Sequence, residues 1–285
     1  MVDSNTIKNK SKPHPIGQEY KTIADAQTKI TLRLDISEKD DSNKKFSDHG
    51  KVPGCMLRLS EPWFASGRTI IADSYFGSPA SAATLYQRGL YSILAIKKRR
   101  YWPKNVPKDL LDNLPESSGS HVCKVGEVDE VRMFTAALRD RRPQCVVSTC
   151  STTLPASFVT HTVQVNGRSE RVRSQRAAVF DEYGNSFGAI DANNNVRDNM
   201  TSYHDVMRTH KWEHRSFAFF WALAEANAFL AWRAFGPDEL RNMDYCDFRE
   251  RLAHEILVAY TNTDNANAQL DKTSPCLGPF ASATT

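Results

Sequence analysis

The sequence has no long apolar run, and this absence excludes a membrane-spanning helix. Nowhere do its 285 residues approach the roughly 18 consecutive apolar residues that a span requires. Residues 1–17 are polar and lack the apolar stretch of a secretory signal. We therefore expect a protein without membrane contact, located in the nucleus or the cytoplasm.

Paired cysteines are also missing. The six cysteines form no C-x-x-C pair and no His cluster accompanies them, so no zinc site is evident. Free thiols are a better interpretation than disulfides in a chain with no secretory signal. The sequence contains no internal repeat either.

Charge is plentiful, but it is unevenly distributed. The chain is 25% charged and 40% hydrophobic, which is typical of a globular protein. Its net charge of +4 is too small to indicate a nucleic-acid partner by itself. Residues 97–108, however, carry six basic residues and no acid, and include Tyr101 and Trp102; residues 139–143 and 168–176 are basic too. Such segments can hold phosphates and stack bases, although solvated loops are an equal alternative.

Alternating apolar residues predict strands in the first third of the chain. Residues 18–36 indicate a hairpin of two strands joined by a polar turn. The strand "TIIAD" is apolar on both faces, as central parallel strands are. A helix should begin at the N-cap Ser78 and Pro79 and stop at Gly89. With the strand "LYSILAI" after it, this order predicts a βαβ unit.

Later segments predict a strand-rich insertion followed by helices. The short strands expected between residues 101 and 185 are "VRMFTAAL", "QCVVSTCS", "HTVQVNG" and "RAAVFDE". Residues 215–235 are apolar nearly all round and indicate a buried helix. An amphipathic helix near Tyr245 to Tyr260 and a loose polar tail from Thr261 complete the pattern.

Three acids occupy comparable places in this pattern. Asp25 ends the first strand of the hairpin, Asp73 ends the apolar strand, and Asp191 opens a helix. Magnesium takes hard oxygen ligands such as these, and two such ions can clamp the attacking and leaving oxygens of a phosphoryl transfer. Each acid also has a structural alternative, because Asp is common in turns and at helix N-caps.

Five segments around these acids resemble, in order, the motifs of piggyBac-type DDE/D transposases. They are "KPHPIGQEYKTIADAQT", "IADSYFGSP", "LYQRGLYSILAIKKRR", "DEYGNSFGAIDANNNVRDN" and "HKWEHRSFAFFWALAEANAFLAW". The matches span about residues 10–235, which is most of the chain. Each motif is weak alone, but five in the right order are a specific signal.

The resemblance implies an α/β fold: a ribonuclease-H-like mixed sheet flanked by helices and interrupted by a mostly β insertion. Five parts are expected along the chain. They are a flexible lead-in (1–17), the first part of the catalytic domain (18–100), an inserted strand-rich subdomain (101–185), the helical remainder of the catalytic domain (186–260) and a loose tail (261–285).

The resemblance also implies site residues. Asp25, Asp73 and Asp191 would be catalytic and would hold two Mg²⁺ (or Mn²⁺) ions. Many members carry an acid where this sequence has Asn194, so Asn194 is a weak ligand at most. Trp212 could stack on a base or anchor the next helix in the core. The full set expected to contact DNA is Lys97, Lys98, Arg99, Arg100, Lys211, Trp212 and Arg215.

The implied activity is metal-dependent cleavage and transfer of DNA strands, with transposon ends or target DNA as the partner and a nuclear location. The family's N-terminal dimerisation and DNA-binding region and its cysteine-rich zinc domain have no counterpart in the sequence. We therefore expect a catalytic core, a truncated or domesticated copy, for which a homodimer stays open. One alternative is a non-catalytic nucleic-acid-binding or interaction protein derived from a transposase; a stand-alone nuclease is less favoured.

Overall fold

A computed structural model describes most of the chain. The described residues are 7–8, 16–97, 105–115, 119–139, 143–165, 168–198, 203–206, 211–238 and 241–273. The chain forms two compact units, Met1–Asn195 and Val196–Thr285, and the division falls inside a helix.

The first unit begins with two small antiparallel pairs. Strand β1 (Ile7–Lys8) pairs with β2 (Ile16–Gly17), and β3 (Tyr20–Ala24) pairs with β4 (Thr31–Ile36). The second pair is the predicted hairpin. Among the described residues, β3 and β4 pair only with each other. Side-chain contacts rather than pairing with the main sheet therefore hold this hairpin, whose turn contains Asp25.

A half-buried ion pair supplies one of these contacts. A short 3-10 helix (Ser47–His49) leads into helix α1 (Lys51–Ser60), and a second one (Glu61–Trp63) follows it. Arg58 of α1 donates from Nε to Oδ1 of Asp35 at 3.0 Å and from Nη2 to Oδ2 at 2.8 Å. Two parallel charge-assisted bonds fix direction as well as distance, so this fork ties β4 to α1.

The predicted βαβ unit is confirmed. It consists of β5 (Thr69–Ala72), helix α2 (Pro79–Gln87) and β6 (Tyr91–Ala95), with β5 and β6 parallel. The Ser78 hydroxyl caps α2 by accepting from the Ser81 amide at 3.0 Å. Gly89 ends the helix with a φ of 71°. A Cβ atom there would come within 2.6 Å of the Ala65 Cα, so only glycine fits.

Five strands form the main sheet, in the order β5-β6-β9-β8-β7. After helix α3 (Lys108–Asp112) come β7 (His121–Val128), β8 (Val131–Leu138) and β9 (Gln144–Ser148), all paired antiparallel. Strand β5 lies at the edge of the described sheet, so its expected central position is wrong. Three strands of the segment expected to be an insertion, 101–185, join this sheet; the domain limits themselves stay a prediction.

A long ribbon and two helices complete the first unit. Strands β10 (Pro155–Val165) and β11 (Arg168–Ala177) pair antiparallel, and helices α4 (Ala178–Phe187) and α5 (Ala189–Asp198) follow. The strand predicted over "RAAVFDE" is wrong beyond Ala177, because the remaining residues begin α4. Val179 and Phe180 of α4 are buried against the sheet.

Apolar clusters cover both faces of the main sheet. On one face, Leu57 of α1 and Leu85 of α2 pack with Leu94 and Val147 of the sheet. On the other face, Ile93 and Val146 pack with α4. Adjacent residues of β6 thus enter opposite clusters, as the alternation of a strand requires.

The second unit is helical in its described part, with α6 (Tyr203–Val206), α7 (Trp212–Phe235) and α8 (Tyr245–Thr273). The prediction of a helix over 215–235 is confirmed, and residues such as Ala226 and Phe229 are buried. The helix is not buried all round, however, because Phe217, Phe220 and Trp221 are exposed. Helix α8 also continues past Tyr260, so residues 261–273 are helical rather than loose; residues 274–285 lie outside the described part.

Two further features concern the sequence expectations. No helix in the described part of the chain is long and apolar enough to cross a membrane. The five described cysteines are free thiols; Cys276 lies outside the described residues.

Candidate active site

Asp25 organises the turn of the β3–β4 hairpin. Its Oδ2 atom accepts from the backbone amides of Gln27 at 3.1 Å and Thr28 at 2.7 Å, and from the Thr28 hydroxyl at 2.9 Å. The hydrogen bond from the Thr28 amide is the main reason that the pKa of Asp25 lies below its usual value. Partial burial acts in the opposite direction and raises this pKa. The pKa is lowered further by the Thr28 hydroxyl, the Gln27 amide and the charge of Lys29. Asp25 is therefore an ionised carboxylate held by one oxygen.

Asp73 sits directly after β5 and starts a tight loop. Its Oδ1 accepts from the Tyr75 amide at 2.9 Å, and its carbonyl accepts from the amides of Phe76 and Gly77 at 3.2 and 3.1 Å. A Cβ atom on Gly77 would come within 1.6 Å of the Ala95 carbonyl oxygen, so glycine lets this loop lie against the end of β6. The Asp73 side chain is exposed.

Asp191 is the third residue of α5, and its side chain is exposed. It lies inside the helix, so the N-cap alternative does not apply, although an acid in the first turn still favours the helix dipole. Asn194, one turn further on, is half-buried. Asn193 between them is 1% exposed.

Side-chain contacts join the segments that carry these three acids. The Lys21 ammonium of β3 lies 3.6 Å from the centre of the Tyr75 ring, two residues after Asp73. Asn193 of α5 donates from Nδ2 to the Lys29 carbonyl, in the turn of Asp25, at 3.1 Å. Tyr183 of α4 packs against the same apolar cluster as Ile71 of β5, so the helix preceding α5 also lies near Asp73. Burial, and then the Asp73 carboxylate, raise the pKa of Tyr183.

The donor chemistry of the three acids fits a hard divalent cation. Asp25 and Asp73 each accept hydrogen bonds within their turns through one carboxylate oxygen. Their second oxygens, Oδ1 of Asp25 and Oδ2 of Asp73, have no hydrogen bond to any described residue. Carboxylate oxygens are the ligands that magnesium prefers. Among the described residues, however, no three His, Cys, Asp or Glu side chains gather as a metal cluster. The three segments that carry Asp25, Asp73 and Asp191 contact one another. That their carboxylates bind a metal ion stays a prediction.

Of the basic residues expected after β6, Lys97 is described. It is exposed and lines a pocket with Ser74, the residue after Asp73, and with Arg139. Lys97 is therefore close to the Asp73 loop. Lys98, Arg99 and Arg100 lie outside the described residues.

The other expected DNA contacts lie at the start of α7 in the second unit. Lys211 precedes the helix, Trp212 is its first residue and Arg215 follows within one turn; all three are exposed. The Trp212 ring is 56% exposed, so it does not anchor α7 in a core.

Sequence reasoning missed a buried acid in the same unit. Glu225 of α7 pairs with the Arg249 Nε of α8 at 2.7 Å and accepts from the Tyr203 hydroxyl of α6 at 2.5 Å. Burial, and then Glu225, raise the pKa of Tyr245. This acid holds three helices together. Its position within an apolar helix sequence was the one available signal, since buried charges need partners.

Sequence reasoning also missed Lys21, Tyr75, Tyr183 and Asn193. Three asparagines follow Ala192. Asn194 has the spacing from Asp191 of a family ligand, but the buried side-chain amide is that of its neighbour Asn193. Nothing in the sequence distinguishes these neighbours.

A protein-family model described as "Transposase IS4" matches residues 4–229, well over half of the chain. The chain belongs to the IS4 transposase family. This finding confirms the transposase resemblance of the five motifs. A search of curated proteins found no match.

Solved structures provide the fold of this IS4-family chain. One of them is described as a cryo-EM structure of the piggyBac transposase synaptic complex with hairpin DNA; it matches with a TM-score of 0.64 and 15% sequence identity. The match covers 99% of this chain and 56% of the solved one, so this chain spans about half of that protein's length. The mixed sheet flanked by helices is thus the ribonuclease-H-like fold of a piggyBac transposase core, as predicted.

Proposed function

We propose that this chain is the catalytic core of a piggyBac-like transposase, which cleaves and transfers DNA strands with divalent metal ions. The observation that carries the proposal is the pair of contacts Lys21–Tyr75 and Asn193–Lys29, which joins the three acid-bearing segments within a transposase-family chain. Neither contact belongs to the main sheet; one connects the Asp25 segment to the Asp73 segment and the other connects it to the Asp191 segment.

In this proposal, Asp25, Asp73 and Asp191 would together hold two Mg²⁺ or Mn²⁺ ions through carboxylate oxygens. The amide oxygen of Asn194 would be a weak further ligand. Bound there, the ions would neutralise charge on a backbone phosphate and activate a water or 3′-hydroxyl nucleophile. The turn amides of Gln27 and Thr28 keep Asp25 ionised and oriented. Most of the catalytic effect would come from positioning.

DNA is the proposed substrate and partner, and a nuclear location is part of the proposal. Lys97, beside the Asp73 loop, would contact a phosphate. The three residues that follow it in sequence, Lys98, Arg99 and Arg100, belong to the same proposed set. In the second unit, Lys211 and Arg215 would contact the backbone. The exposed Trp212 would stack on an unpaired base.

The test is nicking of supercoiled DNA and opening of hairpin DNA by the purified chain with Mg²⁺, Mn²⁺ or EDTA. We expect cleavage with either metal and none with EDTA. Cleavage that persists in EDTA, or its absence with both metals while the protein stays folded, contradicts the proposal.

A second candidate is a non-catalytic DNA-binding protein derived from a transposase. One observation bears on it: Asn194 stands where many family members have an acid, so a fourth ligand is either lost or replaced by an amide oxygen. Cleavage by the wild type separates the candidates, and the Asn194→Asp variant shows whether an acid at this position adds activity. A catalytic core should cleave DNA already in the wild-type form, with unchanged or higher activity after the substitution. A non-catalytic protein should show salt-sensitive DNA binding and no cleavage in either form.

A further inference from the structure

The β10–β11 ribbon has two chemically different faces. In its register Thr160 lies opposite Arg173 and Thr162 lies opposite Arg171. Because strand side chains alternate between faces, these four residues share one face. We call it the polar face of the ribbon; its described members include Phe158, Thr160, Thr162, Arg171, Arg173 and Gln175.

The polar face points into solvent. All six of these residues are exposed, whereas Val159 and Ser174 of the opposite face are half-buried. Ser174 lies against Gly119, where an added Cβ atom would come within 2.3 Å of the Ser174 Cβ. The opposite face is therefore the one packed on the protein. The acid of β11, Glu170, belongs to that opposite face, so no described residue of the polar face is acidic.

The two arginines of the polar face, Arg171 and Arg173, can each bind a different anionic group. They are two residues apart on β11, which places them about 7 Å apart at the usual rise of a strand. The Arg173 guanidinium lies 4.2 Å from the centre of the Phe158 ring. Stacking on an aromatic ring restricts a guanidinium while leaving its edge free to donate hydrogen bonds.

The base of the ribbon is fixed to α4. The Ser157 amide donates to Oδ2 of Asp181 at 2.8 Å, and the Ala178 amide donates to the Leu154 carbonyl at 2.9 Å. The same helix carries Tyr183, which packs against the same apolar cluster as Ile71 of β5, two residues before Asp73. A polymer bound along the ribbon would thus be anchored by the helix that neighbours the candidate active site.

We propose that the polar face of the ribbon binds the sugar–phosphate backbone of duplex DNA. This inference rests on the proposed function, which makes DNA the substrate. Arginine forks match phosphate oxygens, and Thr and Gln side chains are typical donors to the backbone. A two-stranded ribbon fits the major groove of B-form DNA, which is about 12 Å wide. The deep, narrow major groove of A-form RNA does not admit it.

The experiment measures binding of the full chain to a labelled DNA duplex of arbitrary sequence over a series of salt concentrations. We compare the wild type with the Arg171→Ala, Arg173→Ala double variant. Each lost phosphate contact lowers the slope of log affinity against log salt by about 0.9, so we expect a decrease of about 1.8. Affinity at about 0.1 M salt should fall roughly tenfold or more.

Two controls separate contact from overall charge. The Lys124→Ala, Arg132→Ala variant removes the same charge from exposed positions of β7 and β8 and should keep the wild-type slope. The Arg171→Lys, Arg173→Lys variant should keep most of the slope, because the point charges remain. Thermal unfolding shows that each variant is folded. Equal loss in the ribbon variant and the β7–β8 variant overturns the inference, and so does RNA duplex that competes as well as DNA.

Cleavage measured on the same samples distinguishes this inference from the proposed function. If the wild type cleaves DNA and the ribbon variant binds with an unchanged slope, the ribbon assignment is wrong and the catalytic proposal stands. If the ribbon variant loses its slope while the wild type never cleaves, the ribbon assignment stands and the catalytic proposal is wrong. A wild type that binds no DNA contradicts both.

Discussion

The Asn193 side chain donates from Nδ2 to the Lys29 carbonyl at 3.1 Å, between positions 164 residues apart in the sequence. Lys29 belongs to the turn that the Asp25 carboxylate organises, and Asn193 follows Asp191 by two residues on α5. The amide is 1% exposed, and a buried polar group of this kind stabilises only when its hydrogen bond is made. The contact therefore fixes α5 against the hairpin turn.

Asn193→Ala should lower the free energy of unfolding by about 2 kcal/mol, because it removes the donor and leaves buried polar backbone behind. Urea denaturation of the purified chain measures the change. The matched control is Asn195→Ala on the same helix, where the side chain is exposed and the expected loss is below about 0.5 kcal/mol. Equal stability of the two variants would show that the Lys29 contact does not hold α5.

Thr28→Val should raise the pKa of Asp25 toward its usual value. Valine keeps the β-branched shape but removes the hydroxyl that donates at 2.9 Å, while both backbone donors stay. The control Gln27→Ala alters an exposed side chain and keeps its amide, so it should leave the pKa unchanged. An NMR titration that follows the carboxyl carbon of Asp25 measures this pKa in both variants.

The sign of the associated pH effect on stability follows from the lowered pKa of folded Asp25. Its stabilising contribution is present above the usual value of 3.8 and is lost as the pH falls through the lower folded value. Thr28→Val should therefore flatten the dependence of stability on pH in that acidic range. A dependence identical to that of the wild type would contradict the role assigned to the hydroxyl.

Trp212→Ala should weaken binding to hairpin DNA with unpaired bases by about 1–3 kcal/mol, the usual contribution of base stacking. Stability should change little, since the ring is 56% exposed. Phe235→Ala, at the other end of α7 and 73% exposed, is the matched aromatic control and should bind normally. The account of Trp212 is wrong if both variants bind alike, or if Trp212→Ala unfolds the protein.

Local structure was predictable wherever local chemistry decides it. Ser78, Pro79 and Gly89 mark the limits of α2 by capping and backbone preference, and alternation identified the β3–β4 hairpin. The helix at Ala178 was missed because its short apolar run, AAVF, fits a strand equally well. Strand order was beyond reach, since the pairing of β6 with β9 depends on contacts between residues far apart in the chain.

The candidate site was predictable only through its motif acids. Asp25, Asp73 and Asp191 stand out at element ends, and the order of five motifs gives them a context. The contacts that join their segments did not stand out. Lys21 is an ordinary residue of a strand and Tyr75 of a loop, and only the folded chain brings them within 3.6 Å. The aromatics of α7 were misjudged because hydrophobicity alone does not say which face of a helix is covered.

The most direct test of the account compares DNA cleavage by the wild type, Asp73→Asn and Asp129→Asn in Mg²⁺. Asp129 is an exposed acid in the turn between β7 and β8, with a positive φ that Asn tolerates, so its variant controls for loss of one negative charge. We predict that Asp129→Asn cleaves like the wild type, while Asp73→Asn stays folded and loses at least about a hundredfold in rate, the scale on which removal of one electrostatic group acts. Equal cleavage by Asp73→Asn and the wild type would contradict the account.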